Sequence, residues 1–414
     1  MKKSVFRIAV TAGILMSAFT LTGCKNPVLE KTEAAKEAIS NLNTMATETQ
    51  NNIADGTTTG SISIDATAEF QDEIAILKDY DTKETYVVDT NYNILWSYTN
   101  NSNVQYVDGY ILLEDEPISG TTTIYDKDGN QKFSYTEHQY ENIKLVSKGC
   151  LIITEKTDTY NSSSTKTGVY SLEKQEYIIE PKEEYVGKIE DRGDGMFKVD
   201  ESFYNSKTGK TMTFDTYFSQ NFIDGYAVKP ESGTIVVFDE NGNEYRINEP
   251  NKKSVGVNNY NEKMLYDAYN NNLFNLETKK VISLQNQIVK TDSSYWPVFE
   301  NGYALVRFMN QGDTPYYTVI NTNGEFMFEP VRLEDQNGVY KELVSRKLDS
   351  GYFIVEVDGV DTVYDINNNE IVKAGINEEF EGITNGSIMA NSNYQDYYKD
   401  MQGNRIYFNQ NSEG

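Results

Sequence analysis

Oxygen donors at short, regular spacing are the first chemistry this sequence offers. Asp126, Asp128 and Asn130 alternate within residues 123–131, and Glu137 follows Asp126 by eleven places. Oxygens at positions 1, 3, 5 and 12 of a loop are what a calcium ion takes in a helix-loop-helix site. The glycine is misplaced for that fold, because Gly129 stands fourth and Gln131 sixth, where the sharp turn belongs. Other centres fail on residue supply. His138 is the single histidine, which excludes a His-Glu-x-x-His zinc site and leaves a catalytic triad without an accompanying nucleophile motif. Gly209-Lys210-Thr211 ends like a phosphate loop, but Tyr204 stands where its first glycine is required. No Gly-x-Ser-x-Gly, Cys-x-x-Cys or cofactor motif occurs. Cys150 opens the apolar run Cys150-Leu151-Ile152-Ile153, which reads as a free core thiol.

The chain opens with Lys2, Lys3 and Arg7 ahead of an apolar run from Ile8 to Leu21, then Leu21-Thr22-Gly23-Cys24. A basic segment, a short apolar run and small residues before a cleavage point describe a secretory signal over residues 1–23. Leu21-Thr22-Gly23-Cys24 resembles the bacterial lipobox. The resemblance implies that Cys24 is acylated and becomes the first residue of a protein anchored to a membrane face. The expected location is the outer face of the bacterial cytoplasmic membrane, or the outer membrane or periplasm of a two-membrane cell.

Charge narrows the partners further. Without residues 1–23 the chain keeps 34 basic and all 63 acidic residues, a net charge of −29. Phosphate backbones and anionic lipid would repel such a body, so nucleic acid is excluded as a partner. Residues 24–60 form the expected tether. Leu29, Ala35, Ile39, Leu42 and Met45 trace a narrow helical stripe that ends at the breaker-rich 55–60, and a disordered spacer is the alternative.

From residue 61 to 414 the composition changes to short Tyr, Val, Ile and Thr runs broken by Gly, Asn and Asp, which is strand-and-turn chemistry. A hairpin-like phrase recurs, opened by Asp89, Asp126, Ser171, Asn205, Asp239, Asn275, Asn321, Asp365 and Asp400 at intervals of 34 to 46 residues. Ahead of most copies stands a glycine followed by an apolar alternation, as at Gly109, Gly149, Gly195, Gly225, Gly302, Gly351 and Gly386. Each unit therefore supplies one strand, a two-stranded hairpin and room for a fourth strand. One twisted sheet cannot cover both its apolar faces, whereas sheets in a ring cover each other. The expected fold is all-β: a single propeller of about eight four-stranded blades, with seven to nine open, closed by pairing of residues 61–66 with the last blade. An open solenoid or two β domains fit the unit length and the absence of a linker less well.

Phe299-Glu300-Asn301-Gly302-Tyr303-Ala304-Leu305-Val306 and the strand and turn at 317–326 resemble the units of WG-repeat proteins, although no Trp-Gly dipeptide occurs in the chain. The resemblance implies a binding or scaffold role without shared catalytic residues. Three functions stay open: a protein-interaction or scaffold module; a carbohydrate-binding or sensing module using some of the 31 tyrosines, with Tyr92 and Tyr140 near turns; and a glycan hydrolase or lyase built on two carboxylates. No catalytic residue, cofactor or metal is assigned. The 126–130 stretch lines up with 239–243 and 321–325, where the glycine keeps its place and the oxygen donors change. It reads as a hairpin turn.

Overall fold

The computed structural model describes residues 61–410 except 63, 65, 72, 80–81, 100–102, 116–120, 137–139, 160–161, 215–217, 219, 232, 249–256, 285–289, 292–295, 310–313 and 335–339. The signal segment 1–23, Cys24, the tether 24–60, Glu137 and His138 lie outside the described residues. Among the described residues there are nine sheets, eight of them built only of consecutive antiparallel strands and the ninth joining the chain's first and last strands to three consecutive antiparallel ones. The fold is a nine-bladed β-propeller, at the top of the expected range. Blade 1 holds Ile74–Asp79, Glu84–Asp89 and Asn93–Thr99; blade 2 holds Asn103–Val107, Tyr110–Asp115, Thr121–Asp126 and Gln131–Thr136. Blades 3 to 8 span 140–182, 189–212, 226–248, 257–283, 290–332 and 341–373. Blade 9 holds Glu378–Thr384, Ser387–Ser392 and Gln395–Lys399.

All nine turn openers accept backbone N–H groups of their own turn, in two patterns. Asp126 Oδ1 accepts the N–H groups of Asp128 and Asn130 at 3.1 and 2.8 Å. Asp239 repeats this with Asn241 and Asn243, Asn321 with Asn323 and Glu325, Asp365 with Asn367 and Asn369, Asp400 with Gln402 and Asn404, and Asp89 with Asn91 and Asn93. Ser171, Asn205 and Asn275 each accept from the residue three places on. The fourth place of the longer turns takes a left-handed backbone, φ +80° at Gly129 and +89° at Gly242, which favours glycine there, although Tyr92 and Asn368 hold it in two turns.

Packing between blades follows from strand alternation. In Thr234–Asp239 of blade 5, Val236 and Phe238 pack with Met196 and Phe203 of blade 4. Ile235 and Val237 pack with Leu265 and Phe274 of blade 6. One strand thus serves two neighbours, and its four central residues are all buried. Each such side chain contributes about 1.5–3 kcal/mol relative to exposure. The fourth strands, such as Lys280–Ser283 and Glu370–Lys373, are largely exposed and form the outer rim.

Closure differs in detail from expectation. Ser61–Ile62 does pair with the chain's last strand, Phe408–Gln410, but that strand lies in the sheet of blade 1. It runs parallel to Asn93–Thr99, with Asn409 opposite Asn93 and Gln410 opposite Ile94. The physical reason is direction. Residues 405–406 take the fourth-strand place of blade 9, with Ile406 N–H donating to Tyr398 O at 2.8 Å. Their continuation meets Asn93–Thr99, the outermost of these three strands of blade 1, travelling the same way. First and last hairpins therefore keep separate blades, which makes the count nine.

Candidate functional site

Among the described residues, connections between strands 1 and 2 and between strands 3 and 4 of a blade emerge on one face, and the others on the opposite face. On the first face a carboxylate of one blade repeatedly holds the turn of the next. Asp108 Oδ2 accepts from Lys148 N at 2.7 Å, and Asp194 Oδ2 from Gly225 N at 2.8 Å. Glu262 accepts from Asn301 N and Gly302 N at 2.5 and 2.8 Å, Glu300 Oε1 from Ser350 N at 2.9 Å, and Asp349 Oδ1 from Gly386 N at 3.1 Å. Asn385 Nδ2 carries the chain into blade 1 by donating to Thr90 O at 3.2 Å. Blades diverge with distance from the axis, so these contacts place the first two strands of each blade innermost.

Glu300 and Asp349 are the nearest approach to a carboxylate pair with perturbed titration. Burial raises both; the turn hydrogen bonds and Lys347 oppose the shift, while Asp349 and Glu262 add to it at Glu300 and Glu69 adds to it at Asp349. Both also meet Ser350, whose Oγ donates to Asp349 Oδ1 at 3.0 Å. Their oxygens are engaged by turn donors of the neighbouring blade, and neither lines the three concavities described below. This is the arrangement of a structural clamp.

The opposite face is different in kind. The four most exposed large apolar side chains among the described residues are Tyr394 at 98%, Ile376 at 94%, Tyr269 at 73% and Tyr340 at 57%. Tyr269 and Tyr394 sit between strands 2 and 3 of blades 6 and 9, and Tyr340 and Ile376 sit between blades. All four connections belong to this one face.

Three concavities accompany these surfaces. A slot of about 400 Å³ lies between residues 66–71, Ile74–Asp79 and the first strand of blade 2. A second cavity of about 400 Å³ lies at the join of blades 3 and 4, lined by Tyr185, Lys188, Asp200 and Tyr204. A notch of about 310 Å³ lies on blade 9, lined by Glu378, Tyr397, Lys399 and Arg405. In the notch Lys399 Nζ donates to both oxygens of Glu378 at 2.8 and 2.9 Å, Tyr397 Oη to Oε1 at 2.6 Å and Gly375 N to Oε2 at 2.6 Å. Burial pushes the Glu378 proton affinity up, but these donors outweigh it and leave the carboxyl below its ordinary range.

No family model matches the chain, and no curated protein matches it. Solved structures similar to it include a eukaryotic initiation factor, at 11% identity and a TM-score of 0.42 over 80% of this chain and 95% of that one. Porphyromonas gingivalis dipeptidyl peptidase 4 is similar at 10% identity and a TM-score of 0.39, over 72% of this chain and 59% of that one. The β-propeller domain of the Trilobed protease from Pyrococcus furiosus, which has an open velcro topology, is similar at 11% identity and a TM-score of 0.29, over 82% of this chain and 97% of that one. The strand order and register above carry the fold assignment.

The residues singled out from sequence distribute unevenly over these features. Asp126 is a turn residue: Asn130 Nδ2 and Lys132 Nζ occupy its second oxygen at 3.1 and 2.9 Å. Cys150 is buried beside Val146, Val169 and Phe197, and burial pushes its thiol up to about 12, with Asp191 adding to the shift. Tyr92, expected near the surface, is 3% exposed and packs its ring on Phe70, Tyr398 and Phe408. Its backbone makes the turn while its side chain faces the core. Tyr140 is half-buried against Phe133 and Tyr135. The exposed Tyr269, Tyr340 and Tyr394 escaped notice because sequence spacing distinguishes turns from strands but not one face's turns from the other's.

Proposed function

We propose that this chain is a lipid-anchored extracytoplasmic interaction module, in which Cys24 carries the anchor and the propeller presents a face to a partner protein. The observation that carries the reading is the segregation of Tyr269, Tyr340, Ile376 and Tyr394 on the face opposite the carboxylate clamp. Exposed tyrosines and aliphatics gathered on one side are the composition of a contact surface, since tyrosine supplies large area at small entropic loss. The carboxyls with raised titration that come nearest to a pair, Glu300 and Asp349, are occupied in holding blades together, which favours binding over turnover. The net charge of −29 after loss of residues 1–23 favours a partner with a cationic rim.

The test places a photo-reactive amino acid at 376 or 394 of the full chain in its native cell, with position 241 on the clamped face as control. Adducts of one defined mass from 376 and 394, absent from 241, are expected. Equal labelling from all three positions overturns the reading. Loss of acyl labelling in Cys24→Ser tests the anchor separately.

The exposed tyrosines also favour a second reading, an envelope-glycan binder in which rings stack on sugars. A glycan array probed with wild type and Tyr394→Ala separates the two: saccharide binding lost in the variant replaces the protein partner by a glycan.

A further inference from the structure

Among the described residues the innermost edge of blade 1 is unfinished. In blade 2 the first strand pairs with the second over five residues, Asn103 to Val107 against Glu114 to Tyr110. In blade 9 the corresponding ladder runs from Glu378–Ser392 to Thr384–Ser387. In blade 1 the residues in the first-strand place, 66–71, make one isolated bridge, Gln71 with Ile74. The reason is that this segment is drawn toward blade 9. Ala68 N donates to Tyr398 Oη at 2.8 Å, Tyr398 Oη donates to Ala68 O at 2.6 Å, and Phe70 N donates to Thr384 Oγ1 at 2.7 Å. The ring of Phe70 packs on Tyr92 and Tyr398. Backbone groups that would complete the ladder of blade 1 are thus committed elsewhere.

What remains is the slot of about 400 Å³. Its walls follow strand alternation: Ile74, Ile76 and Lys78 on one side, Val104 and Tyr106 of blade 2 on another, and the 66–71 segment opposite. The register decides which backbone groups face it. Ile74 directs its N–H and C=O to Gln71, away from Glu84–Asp89. By alternation Ile76 and Lys78 direct theirs the same way, into the slot. Ile76 is half-buried and Lys78 exposed, and the inner edge of Ile74–Asp79 ends its sheet. A sheet edge beside an apolar wall is the geometry that takes up an extended chain.

We propose that this slot binds an extended peptide of a partner protein, which adds to Ile74–Asp79 as the missing first strand of blade 1. Three residues of the peptide span the groups of Ile76 and Lys78, about 10 Å of extended chain. Alternate side chains of the peptide enter between Ile76 and the Val104–Tyr106 wall. Glu69 and Asp396 line the slot as its acids against the one cation Lys78. With the acidic body of the protein, they select a peptide carrying lysine or arginine. The slot is a different site from the exposed tyrosines, so the two proposals fail separately.

The test uses the full chain and a displayed library of linear peptides of about twelve residues, long enough to overrun a strand-addition site. Enriched peptides are then synthesised and added while amide exchange is followed at single residues. Enrichment of basic, β-branched sequences that slow exchange at Ile76 and Lys78 is the expected result. Lys78→Pro removes one slot-facing donor without touching the ladder to Glu84–Asp89, and weakens binding by about tenfold. Glu69→Lys weakens the basic peptides by a similar factor and leaves uncharged ones unchanged. Should Lys78→Pro fail to fold, peptides N-methylated at successive positions give the same readout on the wild-type chain, with affinity lost at alternate positions only. The proposal is overturned if no peptide is enriched, or if enriched peptides protect other amides. It is equally overturned if Ile76 and Lys78 are already protected in the full chain without peptide, because its own residues then fill the slot.

Discussion

Glu300 reaches out of its own blade to Ser350, fifty residues on, whose amide N–H donates to Oε1 at 2.9 Å. Asp349, adjacent to Ser350, repeats the move toward Gly386 of blade 9 at 3.1 Å. The two acids are successive links in a chain of turn-to-turn contacts. Losing one link strands a half-buried amide donor. Glu300→Ala is therefore expected to cost about 1–3 kcal/mol, and Glu300→Gln, which keeps an acceptor oxygen, less than half of that. Urea unfolding midpoints at neutral pH rank the two variants, and equal losses would remove the hydrogen bond from the explanation.

The same two carboxyls give a pH signature with a defined sign. Burial raises both above their ordinary values of 4.5 and 3.8. The folded state then holds their protons more tightly than the unfolded chain does. Their favourable contribution is complete below those ordinary values and is lost as pH rises through the raised folded values. Glu300→Gln/Asp349→Asn should flatten the decline of stability in that window. Melting temperatures taken across it at constant ionic strength provide the measurement.

Glu378 makes the opposite prediction. Burial works against its ionisation, but Lys399, Tyr397 and the Gly375 amide together leave it lowered. Its stabilisation is present above 4.5 and is lost as pH falls through the lowered folded value. The ion pair with Lys399 is enclosed, the two side chains being 12% and 8% exposed. Lys399→Met leaves a buried carboxylate short of its cation and should cost about 3 kcal/mol at neutral pH. Combining it with Glu378→Gln should recover part of that loss, which a double-mutant cycle reads directly.

Asp126→Ala tests the reading of the 123–131 stretch. The carboxylate accepts from Asp128 N, Asn130 N and Asn130 Nδ2, so its removal should loosen one hairpin and cost about 1 kcal/mol. Calorimetric titration of the wild type with calcium should give no saturable heat. Stoichiometric binding that vanished in Asp126→Ala would restore the metal site.

Much of this architecture was legible because the propeller writes itself into its turns. Asp89, Asp126, Asp239, Asp365 and Asp400 must be acceptors two and four residues ahead of fixed donors, so their spacing counted the hairpins, while the blade count was expected at about eight because the seam was not legible. The closure was less legible. Nothing in residues 61–66 or 408–410 tells a strand which of two adjacent blades it will join, since both offer edges and the choice depends on chain direction at the ring's seam. The clamp was invisible for a related reason: Glu262, Glu300 and Asp349 occupy turns where acids are ordinary, and their partners lie 39, 50 and 37 residues away in neighbouring blades. The expectation for Tyr92 failed through geometry of another kind. A turn residue with φ of +61° can send its ring inward, and this one does.

Cys150 offers a probe of how the blades part. Its sulfur lies where blades 3 and 4 meet, among Val146, Val169, Ile179 and Phe197, and burial with Asp191 nearby pushes the thiol up to about 12. The nucleophilic thiolate is scarce at pH 8 even where a reagent could reach it, so labelling in a Cys24→Ser background should proceed only through opening of the join. The neighbouring Gly149 supplies the lever. It adopts φ +60°, and a Cβ there would stand 2.1 Å from the ring of Tyr110 on blade 2. Gly149→Ala must displace that ring and hold alanine in a left-handed conformation, which together should cost about 2–4 kcal/mol. If the opening that exposes Cys150 includes movement at this contact, the variant should label at least about tenfold faster, in proportion to the stability lost. Unchanged labelling despite a lowered melting temperature would show that blades 2 and 3 can loosen while the join between blades 3 and 4 stays shut.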